Sequence, residues 1–110
     1  MKAKAEVAAG VCGFRATIVA ESTDGQMVTF DIETDCEKNQ ALAAKLAEAQ
    51  PVDAYQEISP AGEGVVMGAA RSTLKGCCAA CAIPVGIFKA MQVAAGLALP
   101  SDIEIKLTKE

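Results

Sequence analysis

Two short runs of alternating polarity, separated by a turn signal, constrain this chain more than any other feature. Phe14, Ala16, Ile18 and Ala20 alternate with Arg15, Thr17 and Glu21, and Val28, Phe30 and Ile32 alternate with Thr29, Asp31 and Glu33. Successive side chains of a strand point to opposite faces, so a period of two with one apolar set describes a strand half buried against a core. Between the runs, Thr23-Asp24-Gly25 reads as a three-residue hairpin loop with Gly25 in the left-handed position. That loop pairs Ala20 with Val28, Ile18 with Phe30 and Ala16 with Ile32. A two-residue Asp24-Gly25 loop would mix polar and apolar residues on one face. Carried to the open end of the hairpin, the three-residue register sets Cys12 opposite Cys36, both with inward parity.

The other elements are read in the same way. Ala3, Ala5 and Val7 against Lys2, Lys4 and Glu6 predict a first strand, and Ile103, Ile105 and Leu107 against Glu104, Lys106 and Thr108 predict a last one. Thr34 followed by Glu37 has capping-box spacing. Leu42, Ala43, Leu46 and Ala47 then recur at helical intervals up to Pro51, which predicts a helix from about Asp35 to Gln50. A second helix is expected over Val65 to Leu74, and a third from Pro84 to the stop at Pro100. The third is apolar almost all round, its polar stripe being Lys89, Gln92 and Gly96, so it should lie across the sheet. The order βββαααβ gives an α+β two-layer sandwich, with a mostly antiparallel four-stranded sheet and helices on one face. At 110 residues, 52% of them hydrophobic, residues 1–110 are expected to form a single domain.

Charge and residue counts exclude whole classes of function. Ten basic against fourteen acidic residues, with only Phe14, Phe30, Tyr55 and Phe88 as aromatics, offer neither a phosphate-neutralising field nor a stacking platform. No nucleic-acid partner is expected. The apolar run from Val85 to Leu99 is interrupted by Lys89 and Gln92 and is about five residues short of a bilayer span, so no membrane is expected either. The chain has no His, which removes Ser-His-Asp and Cys-His catalysis and His-ligated zinc. Five cysteines remain. The opening Met1-Lys2-Ala3-Lys4-Ala5-Glu6 shows no apolar secretory segment, so a reducing, cytoplasmic location is expected. There, an odd set of thiols points to metal or redox chemistry before a disulfide framework.

Cys12 and Cys36 meet at the hairpin end if the register holds, and Cys78 and Cys81 stand just before the Pro84 helix with C-x-x-C spacing. Four thiolates and no imidazole suit an iron–sulfur cluster or a tetrahedral zinc ion; hard cations prefer oxygen. Cys12, Cys36, Cys78 and Cys81 are the candidate ligands, with Cys77 as spare or alternate. An iron–sulfur cluster, a four-iron one favoured, would serve electron transfer or cluster carriage with a redox or cluster-accepting protein as partner. Two alternatives stand beside it: a metal-free thiol enzyme using Cys78 and Cys81 as attacking and resolving thiols, and a structural zinc module. The residues name no reaction. An Ala-rich helix on a small domain is compatible with a homodimer.

Several separated motifs also carry a resemblance: Val11-Cys12-Gly13-Phe14, Asp35-Cys36-Glu37, Val52-Asp53-Ala54-Tyr55-Gln56-Glu57-Ile58, Cys78-x-x-Cys81-x-x-Pro84, and Lys89-Ala90 through Ala94-Ala95-Gly96-Leu97-Ala98-Leu99-Pro100. Together they resemble an uncharacterised family of small cysteine-containing proteins from anaerobic bacteria and archaea. The resemblance implies that the position of Cys78 often carries His, as suits a metal ligand. It also implies an anaerobic setting, which favours iron–sulfur over zinc. Other signals are weaker. Gly62-x-Gly64-x-x-x-Gly68 misses the dinucleotide fingerprint by one residue and reads as a loop entering a helix. Asp53 and Glu57 read as solvated carboxylates, and Lys89 as the mark of an exposed stripe.

Overall fold

A computed structural model describes residues 1–110. Three strands open the chain: β1 (Lys2–Ala8), β2 (Arg15–Glu21) and β3 (Met27–Thr34). Helix α1 (Glu37–Ala49) follows, then a two-residue strand β4 (Val52–Asp53) and helices α2 (Ala54–Ile58), α3 (Val65–Thr73) and α4 (Ile83–Ala94). The sheet is antiparallel throughout, in the order β1-β2-β3-β4. Helix α4 packs across β1 and β2, α1 packs on β3, and α3 lies against α1 and α4. This is the two-layer α+β sandwich that the alternation in β2 and β3 requires: Ala16, Ile18 and Ala20 are buried, while Arg15 and Glu21 are in solvent.

The core joins Ile18 and Val28 of the sheet to Leu42 and Leu46 of α1, Val66 of α3, and Ile83, Ile87 and Met91 of α4. Each large side chain so buried contributes about 1.5–3 kcal/mol. Gly86 is where α4 comes closest to the sheet, since a Cβ there would run into Val7 Cγ2. The stretch Gly76–Ala94 is long and apolar enough to cross a membrane by length and composition alone. In this fold the apolarity of α4 has another use: Ile83, Ile87, Ala90, Met91 and Ala94 face the core.

Two sequence expectations change. The β2–β3 register places Ile18 opposite Ile32, Ala20 opposite Phe30 and Ala16 opposite Thr34, two residues beyond the pairing expected. The loop is longer because its own polar groups close it. Asp24 Oδ1 accepts from the N–H of Gln26 (2.9 Å) and of Met27 (2.8 Å), and Ser22 Oγ accepts from Gly25 N–H (3.0 Å). These bonds, that from Gln26 first, hold the Asp24 carboxyl below the ordinary carboxylate range. Gly25 is left-handed as expected (φ +77°), and an even shift preserves which side chains face inward. The second change concerns the fourth strand, which is Val52–Asp53 on the far side of β3. Residues 101–110 join no strand, and Ile103, Ile105 and Leu107 are exposed. Alternation marks a segment as strand-like, but it does not choose the edge it pairs with.

Candidate functional site

The shifted register moves Cys12 off Cys36. Residues 9–14 form the β1–β2 turn, closed by Ala9 N–H to Phe14 C=O and Gly13 N–H to Gly10 C=O (both 2.9 Å), with Gly10 and Gly13 both left-handed. Cys12 is exposed within this turn. At the same end of the sheet, the Thr34 hydroxyl donates to Arg15 C=O (2.7 Å) and accepts from Cys36 N–H (3.2 Å). The capping-box pattern at Thr34 therefore ties β3 to β2 and delivers Cys36, not Thr34, to the N-cap of α1.

Cysteine is an unusual N-cap, since Ser, Thr, Asp and Asn accept from the first free N–H groups far better. Cys36 is buried and its side chain makes no cap hydrogen bond. Its neighbour across the first turn is Asn39, buried to all but 3%, whose Nδ2 lies 3.4 Å from Cys36 Sγ and 3.7 Å from Cys81 Sγ. One amide group thus serves sulfurs 45 residues apart in the chain, and the two distances bound how far apart those sulfurs can be. The Asn39 Oδ1 is buried without a partner. Burial pushes the Cys36 thiol up, but the Asn39 backbone N–H, the Asn39 amide, the Lys38 backbone and the Lys38 charge together outweigh it, so the thiol is held below its ordinary value.

The second wall of the site is the turn before α4. A 3-10 turn over Gly76–Cys78, with left-handed Gly76, leads to a bond from Cys81 N–H to Cys78 C=O (3.1 Å). Cys78 and Cys81 are half-buried, and Lys38 Nζ lies 3.6 Å from Cys78 Sγ. Adjacent residues of α1, Lys38 and Asn39, therefore meet the two halves of the C-x-x-C turn. Cys77 is exposed.

The structure thus gathers Cys36, Cys78 and Cys81 around the start of α1. It sets Cys12 in a turn at the same end of the sheet, where β1 ends and where the first turns of α4 rest on Val7. No group of three or more Cys, Asp or Glu side chains is drawn into metal-holding geometry; the thiol cluster is open. Thiol donors suit soft metals, and an amide N–H is a group that sulfur can accept from. Sequence reasoning missed Lys38 and Asn39. For Asn39 a signal existed: it stands at helical spacing from Leu42 and Leu46, a polar residue on the buried stripe.

Glu57 is buried, while Asp53 is half-buried and makes its hydrogen bonds at the surface. Asp53 caps α2, accepting from Tyr55 N–H (3.0 Å) and Gln56 N–H (3.3 Å), and buried Glu57 accepts from Val65 N–H (2.8 Å) and Val66 N–H (2.6 Å) at the start of α3. The loop holding Gly62 and Gly64 does enter a helix, with Gly64 as the α3 N-cap at φ +85°. Lys89 is exposed.

No curated protein and no solved structure matches the chain. A family model matches it over residues 3–107, which include all the helices and cysteines described above and every strand residue but Lys2, and the chain belongs to that family of unknown function (DUF6951).

Proposed function

We propose that the chain is a small metal-binding protein with a thiolate-ligated centre at the junction of α1 and the Cys78–Cys81 turn. Cys36, Cys78 and Cys81 are its ligands, Cys12 from the β1–β2 turn is the fourth, and Cys77 is the alternate. The single observation that carries this reading is the Asn39 amide, placed between the sulfurs of Cys36 and Cys81. A buried N–H donor directed at two sulfurs is matched by sulfur as a pure acceptor, the form it takes as a metal-bound thiolate. Lys38, whose charge helps hold the Cys36 thiol below its ordinary value, also lies 3.6 Å from Cys78 Sγ.

An iron–sulfur cluster, with four irons favoured, fits an all-thiolate set, and the likeness to proteins of anaerobes supports it over zinc. Electron transfer or cluster carriage would follow, in a reducing cytoplasmic setting, with a redox or cluster-accepting protein as partner. The Lys38–Cys78 contact also favours a second reading without metal. The Cys78 thiolate attacks a substrate disulfide, releasing one thiol and forming a mixed disulfide. Cys81 then displaces the second thiol and leaves a Cys78–Cys81 disulfide, so the substrate gains the two electrons the protein loses.

Anaerobic purification followed by metal and acid-labile sulfide analysis separates these readings. Brown protein containing iron and sulfide, lost on Cys36→Ser or Cys81→Ser, is the expected result. Colourless protein with stoichiometric zinc lost on the same substitutions would replace the cluster by a zinc module. Metal-free protein with a reducible Cys78–Cys81 pair would overturn metal binding.

A further inference from the structure

The strand-like segment that stays out of the sheet has a matching vacancy in the fold. Strand β1 is an edge of the sheet, and between it and α4 lies a groove of about 870 Å³ whose lining includes Ala3, Ala5, Lys89, Val93 and Leu97. The inward residues of β1 are small there, so the apolar floor is open. Ser101 and Asp102 also line the groove, but beyond them the chain leaves it. Ile103 is 54% exposed, Ile105 72% and Leu107 90%, and no backbone hydrogen bond ties residues 101–110 to β1. The family match runs through residue 107, so this alternating segment belongs to the domain.

Charge suits a parallel register. Glu104 and Lys106 pair with each other along one face of the extended segment (3.0 Å), as Lys4 and Glu6 do along β1 (3.2 Å), with the signs in reverse order. A parallel alignment in which residue n of β1 meets n plus one hundred sets Lys2 by Asp102, Lys4 by Glu104 and Glu6 by Lys106, all opposite in sign. It also lays Ile103, Ile105 and Leu107 over Ala3, Ala5 and Val7. The antiparallel alignment that keeps Lys4 by Glu104 puts Lys2 by Lys106 and Glu6 by Asp102, both like pairs, which destabilise a sheet.

We propose that the β1 edge is the docking site for residues 102–107 of a second copy of this chain, exchanged reciprocally in a two-fold dimer. The segment leaves its own groove after Asp102, and each copy offers both the open edge and the strand to cover it. The exchange adds a parallel fifth strand to each sheet, removes the exposed edge, and buries the three exposed apolar side chains. It needs no metal and stands apart from the cysteine cluster.

Sedimentation equilibrium on the full chain at low salt tests this. The wild type is expected at twice the 11.3 kDa chain mass. Ile105→Asp and Glu104→Lys should each weaken the dimer at least tenfold, and adding Lys4→Glu to Glu104→Lys should restore most of the loss. A monomeric wild type at micromolar concentration overturns the proposal, as does a dimer indifferent to both substitutions. A monomer whose amides 103–107 resist hydrogen exchange would give the groove to the chain's own segment and overturn it too.

Discussion

Two sets of helix starts in this molecule are built from different acceptors. At α2 and α3 a carboxylate does what helix physics asks: Asp53 closes on Tyr55 and Gln56, and Glu57 reaches Val65 and Val66. Each bonds to N–H groups within nine residues of itself, and the free amides of the helix end are satisfied locally. At α1 the N-cap is Cys36, which makes no such bond, while the next polar residue inward, Asn39, turns its amide toward two sulfurs and leaves its own oxygen without a partner. The first arrangement serves stability alone. The second forgoes a cap and tolerates a buried orphan, and its groups gain meaning only as a set drawn from distant parts of the chain. Departures from local stability of this kind concentrate at functional sites.

The contrast can be broken or sharpened by substitution. Glu57→Ala should have the largest effect, about 3 kcal/mol of unfolding free energy by urea titration, because two N–H groups, that of Val66 buried, lose a charged acceptor. A loss below about 1 kcal/mol would erase the distinction between the two sets. With the proposed thiolate centre, Cys36→Ser should lower metal affinity by more than about 100-fold, beyond the loss typical of an outer-sphere partner. The metal-free variant should be as stable as the parent or about 1 kcal/mol more so, because Ser caps helices well. A destabilised variant that keeps its metal would reverse the comparison. Asn39→Ala should cost about tenfold in metal affinity by competition with a chelator, with the metal still bound; an unchanged affinity would reduce the amide to packing. Asp53→Ala should remove about 1 kcal/mol and leave metal content untouched.

The smallest effect belongs to pH. The Asp24 carboxylate, which closes the β2–β3 loop, has its folded pKa depressed below the ordinary carboxylate value by the N–H groups of Gln26 and Met27. Its contribution is therefore complete above that value and is lost as pH falls through the lower, folded one. Acid titration of Asp24→Asn, followed by hydrogen exchange at Gln26 and Met27, should lack this loss. An identical acid profile in the parent would make the loop indifferent to its carboxylate.

How far the fold could be read before any coordinates depended on the length of the signal. Leu42, Leu46 and the Pro51 stop located α1 to within two residues at its start and one at its end, because a helical stripe repeats over several turns. Val52–Asp53 and Ala54–Ile58 passed unread, since two residues and one turn are too short to show a period. Cys36 and Cys81 share the Asn39 amide because the hairpin end and the Pro84 helix start lie together. The place of Cys12 did not follow from the sequence, because it hung on a register that five loop residues set through Ser22 and Asp24.

By itself the order of residues determined which side chains turn inward, where α1 runs and where α4 begins, and, through the lack of His, that sulfur is the soft donor available. Tertiary structure decided the offset between strands, the meeting of Asn39 with two cysteines, and the exclusion of Ile103, Ile105 and Leu107 from the sheet. The reason is common to all three. Alternation and helical periodicity are local and survive any even slip of a strand, whereas a register, a shared hydrogen bond and a choice of edge depend on which distant surfaces the packed layers bring into contact.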